Sequence, residues 1–247
     1  MEHQETIRIL PDAKTAVLFI HGICSTPDIF RTMLPLEKMV PDDYSLYNLR
    51  LPGHGGTTKD FAQSSMRQWR SYTRECFLKL AQSHEKLILV GHSMGTLLSV
   101  ELSLEFPEKV AALFLVAVPL RVGLKPRTVI NLMRMSFGHL DPEDRVLSAM
   151  YKMCGVQTTR LVWRYATWIP RLWELVRLMH RTAEILDGIT VPCVAFQSQQ
   201  DEMVSLRSSP IIRKCGRIEL YHLSNSTHFY YAPEDQALVE KRFGEIL

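Results

Sequence analysis

Gly91-His92-Ser93-Met94-Gly95, Asp201 and His228 are the residues of this chain whose types and order suit nucleophilic chemistry at a carbonyl carbon. A serine hydroxyl is a poor nucleophile near neutral pH. It needs an imidazole within hydrogen-bond reach, and the imidazole needs a third group to fix its tautomer. The pentapeptide has the form G-x-S-x-G, and its surroundings decide what that form is worth. Residues 87–90 before it are an apolar run, as a strand buried on both faces requires, and Leu97, Leu98, Val100, Leu102 and Leu104 after it recur at near-helical spacing. Between a strand and a helix, small residues at 91 and 95 let the backbone reverse sharply and leave Ser93 presented in a strained turn. Away from such a context the same letters would read as a plain strand-to-helix turn.

The order Ser93, Asp201, His228 is one of the chain orders in which such a triad is assembled, with His228 as base and Asp201 as its orienting carboxylate. Each partner has a competitor. Glu202 and Asp187 are the other nearby carboxylates, but Glu202 is expected to point elsewhere in its turn and Asp187 lies before its strand. His222 falls inside an expected strand, His54 in a Gly/Pro-rich loop and His92 inside the turn itself, where packing and turn support are the readings. Cys24 has no evident base and reads as a buried, inert thiol. The developing oxyanion needs backbone donors, and His21-Gly22-Ile23-Cys24-Ser25-Thr26-Pro27, between a strand and an expected helix, is suited to supply them. The N–H of Ile23 and that of Met94 are the candidate donors. Thr26 and Pro27 read as the start of a helix reaching about Met39, with Asp28 in its first turn.

The elements that must hold these residues follow from the hydrophobic pattern. Strands are expected at residues 6–10, 16–20, 44–49, 87–90, 110–118, 191–197 and 217–223. Met66, Trp69, Tyr72, Thr73, Cys76, Phe77 and Leu80 step at helical intervals through Met66–Ser83. Further helices are expected after the elbow, at residues 205–214 and from Pro233. Strand and helix alternate, the pattern of a mostly parallel sheet covered on both faces, and Asp201 and His228 then lie beyond the ends of two late strands, where Ser93 also lies. The alternation stops at Pro119. Residues 120–187 read as a helical cap inserted into a core made of residues 1–119 and 188–247. That insertion holds eleven Lys/Arg against six Asp/Glu, and three of the four tryptophans. Its Met and Trp side chains are expected partly to fill a small core of the cap and partly to line an apolar pocket.

Composition excludes several classes. A net charge of +3 on 247 residues implies no nucleic-acid partner. No apolar run is long enough for a transmembrane helix, and the N-terminus lacks the basic start and apolar run of a signal peptide. Five cysteines without a C-x-x-C or Cys/His cluster suggest reduced thiols, so no zinc site and a cytoplasmic location are expected. The basic excess of the insertion would suit transient contact with an acidic membrane surface or an anionic substrate.

His21-Gly22, Leu51-Pro52-Gly53-His54-Gly55, Gly91-His92-Ser93-Met94-Gly95, Gln200-Asp201-Glu202-Met203-Val204 and Thr227-His228 together resemble the α/β-hydrolase superfamily, and within it the bacterial carboxylesterase and monoacylglycerol lipase branch. The motifs run from Phe19 to His228, with one departure, Thr96, where many relatives have a second glycine. The resemblance implies the α/β-hydrolase fold and hydrolysis of small carboxylic esters, with an apolar acyl group, by a serine mechanism. It also implies no metal or cofactor, and a cap that chooses the substrate. A haloalkane-cleaving member would need Asp at position 93. A thioesterase or acyltransferase would use the same triad, and a non-catalytic ligand-binding protein of this fold or a protein-interaction role for the basic cap are the readings from other classes.

Overall fold

Along the inner strands alternate side chains go to opposite faces of one sheet, and both faces are apolar. In β2 (Thr15–Ile20) Ala16, Leu18 and Ile20 join one core cluster while Val17 and Phe19 join another. The same division holds in β4 (Lys86–His92), β5 (Val110–Val116) and β6 (Cys193–Ser198), where Leu89, Leu115 and Ala195 face one way and Val90, Phe114 and Phe196 the other. Strands of this kind must be covered twice, which favours parallel pairing with helical crossovers. The computed structural model describes residues 3–247 and has that form. Seven strands lie in the order β1-β3-β2-β4-β5-β6-β7, all parallel except the short edge strand β1 (Thr6–Arg8), which runs antiparallel to β3 (Ser45–Leu49). β7 (Ile218–Leu223) closes the other edge.

One face of the sheet is covered by α2 (Met66–Ser83) and α3 (Met94–Glu105). The other is covered by the segment around Ile29 and Phe30 and by α8 (Pro233–Gly244), which contributes Val239 and Phe243. All seven expected strands are present. β4 continues to His92, directly into the elbow, and β5 stops at Val116 because Ala117 takes a φ of +58°. The continuous helix expected from Thr26 to about Met39 does not form. Leu34, held extended (φ −127°, ψ 90°) before Pro35, separates a π-helical turn at Ile29–Met33 from a 3-10 turn at Glu37–Met39. Proline removes a donor and disfavours helical geometry in the residue before it. A short helix absent from the sequence reading, α1 (Thr58–Gln63), starts at a capping box between Thr57 and Asp60.

Between β5 and β6 the chain forms α4 (Pro126–Phe137), α5 (Arg145–Met153), a 3-10 stretch Val162–Trp168, α6 (Ile169–Ile185) and a final 3-10 turn, Leu186–Gly188. α6 packs on α3 and α2, so α3 lies between the sheet and a second helical layer. That explains why α3 is apolar nearly all round. Of the Met and Trp residues expected partly to fill a small core of the cap, Met135 is buried outside both main clusters, but others belong to the core of the sheet. Met179 and Trp168 join one main cluster and Met153 the other, while Trp163 and Trp173 are 67% and 63% exposed. No helix among the described residues is long and apolar enough to cross a membrane. α7 (Ser209–Lys214), preceded by a 3-10 turn, occupies the helix expected at 205–214.

Candidate active site

Ser93 sits where β4 turns into α3, with φ 52° and ψ −124°. A non-glycine residue there stores about 1–3 kcal/mol of strain. The surrounding turn leaves the chain no other course. A Cβ on Gly91 would lie 2.7 Å from the backbone of Thr96, and one on Gly95 only 1.9 Å from the carbonyl oxygen of Ile20. The Ser93 N–H donates to Val116 O at 2.9 Å, which ties the elbow to β5. Thr96, the departure from the glycine of many relatives, is fully buried, and both its N–H (2.9 Å) and its hydroxyl (2.7 Å) donate to Ser93 O. The larger residue therefore clamps the turn.

The loop after β2 lies against this serine. A Cβ on Gly22 would meet Ser93 Cβ at 2.8 Å and Oγ at 3.3 Å, so only glycine lets the two backbones approach. The loop is held by two histidines. His21 Nε2 accepts the Leu51 N–H at 3.1 Å, and His54 Nε2 accepts the N–H of Cys24, itself strained at φ +53°, at 3.1 Å. Burial first, then neighbouring His54, push His21 well below the ordinary imidazole value, and burial brings His54 down to about 4. Both are thus neutral pins between the loop at residues 21–27 and the loop at residues 51–56. Burial raises the Cys24 thiol well above its usual value, which keeps it protonated. Among the described residues no acceptor meets the N–H of Ile23 or of Met94.

Asp201 and His228 meet beyond the ends of β6 and β7. Asp201 Oδ2 lies 2.9 Å from His228 Nδ1, while Oδ1 accepts the N–H groups of Met203 and Val204 at 2.7 Å each. Burial alone would raise Asp201, yet the His228 charge and these hydrogen bonds bring it below the ordinary carboxylate value. For His228 burial acts downward and is outweighed by the Asp201 charge and hydrogen bond, with Glu202 adding to them, so the imidazole lies above its ordinary value. His92 Nε2 lies 3.1 Å from His228 O and 3.2 Å from the Tyr231 hydroxyl, and burial presses His92 down to about 3. The rings of His92 and His228 are 5.0 Å apart.

Among the described residues no hydrogen bond joins Ser93 Oγ to His228. Such bonds are often long in unliganded enzymes and tighten with substrate. Ser93, Asp201 and His228 are all buried. Asp187 is exposed on the turn before β6, and His222 on β7 pairs with Ser209 Oγ at 3.0 Å, so neither meets the group. Glu202 departs from its expected direction: its carboxylate faces the His228 backbone. The sequence reading also missed Tyr231 and the His21–Leu51 contact, for which no motif gave a signal. Among the described residues no His, Cys, Asp and Glu cluster could hold a metal ion.

Residues 11–229 match the model of the Hydrolase_4 family, described as serine aminopeptidase, S33. The chain is 25% identical over 229 residues to a thermostable monoacylglycerol lipase of Bacillus sp. (strain H-257), covering 92% of this chain and 87% of that protein. Its fold is similar to that of a chain from LipS and LipT, two metagenome-derived lipolytic enzymes, with a TM-score of 0.73 at 20% identity over 99% of this chain and 97% of that one. A Paleococcus ferrophilus monoacylglycerol lipase gives a TM-score of 0.70 at 15% identity over 99% of each chain. With its mostly parallel sheet and its elbow between β4 and α3, this chain belongs to the Hydrolase_4 (serine aminopeptidase, S33) family of α/β hydrolases.

Proposed function

We propose that the protein hydrolyses small carboxylic esters through Ser93, His228 and Asp201. The observation that supports this reading most is the buried Asp201–His228 contact beyond β6 and β7, together with Ser93 in a strained elbow under the Gly22 loop. Neutral His228 takes the proton of Ser93 as Oγ attacks the carbonyl carbon. Asp201 remains ionised, holds the Nδ1 proton and stabilises the imidazolium. The negative charge on the carbonyl oxygen is received by the N–H groups of Ile23 and Met94, each worth roughly 3–4 kcal/mol in the transition state. Collapse returns the proton to the leaving alcohol. Water, activated by the same imidazole, then cleaves the acyl-Ser93 ester.

The segment of residues 120–187 acts as a cap that selects the acyl group. Its first turn is bonded to the Asp201 turn, Gly123 N–H donating to Met203 O at 3.0 Å, and Gly155 N–H donates to Cys24 O at 2.8 Å in the oxyanion loop. The name of the Bacillus relative favours a monoacylglycerol-like ester with an apolar chain. Hydrolysis of p-nitrophenyl esters from acetyl to palmitoyl tests this. Medium or long chains should be preferred, and Ser93→Ala should lower kcat by at least about a thousandfold. Activity that survives in Ser93→Ala would refute the serine mechanism.

A further inference from the structure

Glu202 follows the carboxylate that orients His228, and its own carboxylate is also buried at the site. Oε2 accepts the backbone N–H of His228 at 3.0 Å. Oε1 is buried and has no hydrogen-bond partner among the described residues. The Glu202 carbonyl oxygen accepts the Lys125 N–H at 2.9 Å and the Thr128 hydroxyl at 3.0 Å, which joins the same residue to the start of α4. One backbone N–H needs no more than a neutral acceptor, whereas a half-satisfied buried carboxylate costs free energy. Such a group calls for a reason beyond packing.

The reason lies in the charges around His228. Asp201 and Glu202 approach from the turn after β6, His92 from β4 and Tyr231 from the histidine's own loop. His92 is neutral near pH 7 and burial keeps the Tyr231 phenol protonated, so the two carboxylates are the charges the ring meets. We propose that Glu202 is a positioning residue: its carboxylate fixes the His228 backbone and, as a second negative charge beside Asp201, favours the imidazolium formed when Ser93 gives up its proton. This rests on the serine mechanism above. Glu202 thereby also couples the base to the inserted helices, since one residue holds both.

Glu202→Gln keeps the shape and an acceptor for the His228 N–H and removes the charge. It is expected to lower kcat about tenfold, the effect of one charge-assisted contact, with KM near the wild-type value. The acid limb of kcat/KM should move to lower pH. Glu202→Asp, which keeps the charge, should leave that limb close to wild type. Wild-type kcat and pH profile in Glu202→Gln, or a lower melting temperature with an unmoved acid limb, would overturn the proposal. If Glu202→Gln does not fold, Glu202→Met, which also removes the charge at similar volume, decides: an acid limb at lower pH supports the proposal and an unmoved one overturns it. A wild-type protein without ester hydrolysis would sink the serine mechanism instead. The inference about Glu202 would then be settled by 15N titration of His228, whose midpoint should fall in Glu202→Gln.

Discussion

At the scale of single residues, Ser93 and Thr96 show how this chain stabilises an unfavourable turn. The elbow's φ of 52° is held by two donors from Thr96 on the Ser93 carbonyl. Thr96→Val keeps volume and the N–H but loses the hydroxyl bond. It should cost about 1 kcal/mol in urea unfolding and lower kcat a few-fold, the measure of one hydrogen bond. Unchanged stability and kcat would mean that the backbone bond alone holds the turn. The positions of Ser93, Asp201 and His228 were legible because a sharp turn, a strand end and a polar loop are written locally as Gly, Pro, Ser and Asn. The direction of Glu202 was not. Neighbouring side chains in a turn point according to the loop packed against it, here that of His228, which lies 26 residues further on.

At the scale of elements, the loop at residues 21–27, proposed to receive the oxyanion, is held by a strap from the insertion. Gly155 lies between two loops, its N–H donating to Cys24 O at 2.8 Å, and Gln157 N–H donates to Gly56 O at 2.9 Å. A Cβ at position 155 would lie 2.0 Å from Ser25 O, so Gly155→Ala must push the strap and the loop apart. Overpacking of this kind costs roughly 1–3 kcal/mol, and the predicted outcome is a lower urea midpoint with kcat reduced more than KM is raised. Equal midpoints for Gly155→Ala and wild type would show that the strap yields freely. The strands were readable from apolar runs, but two helical features were not read correctly. The effect of Pro35 on Leu34 breaks the helix expected to Met39, and the Thr57–Asp60 box, visible in the sequence as T-x-x-D, opens an unforeseen helix.

At the scale of the whole molecule, buried neutral imidazoles tie distant loops together, and this couples stability to pH. His54 and His92 lie at about 4 and 3, and His21 also lies well below the ordinary value, each chiefly through burial. In the unfolded chain all three bind protons below about pH 6.5, whereas the folded chain does not until far lower. Stability therefore rises with pH across this window and is lost on acidification, by roughly 1.4 kcal/mol per pH unit for each fully coupled histidine. His228, raised above the ordinary value, has the opposite sign: its contribution is complete below pH 6.5 and is lost as pH rises through its folded value. Below pH 6.5 the His228 contribution no longer changes, so urea midpoints should fall steeply from pH 6.5 to 4.5, and a flat profile would contradict neutral packing of these rings. The continuous apolar runs and the alternation of strand with helix revealed a doubly covered sheet. It did not reveal that α6 would lie on α3, because an amphipathic stripe says that a face is buried but not against what.

The central claim is that Ser93 is a nucleophile activated by His228, and the most direct measurement is covalent capture. A fluorophosphonate ester transfers its phosphoryl group only to an activated serine, with fluoride leaving and His228 taking the proton. Peptide mass mapping should then find one adduct, on the peptide carrying Ser93, formed at least about a hundredfold more slowly in His228→Ala. An unlabelled Ser93 in folded wild-type protein, or labelling at the same rate without His228, would contradict the account.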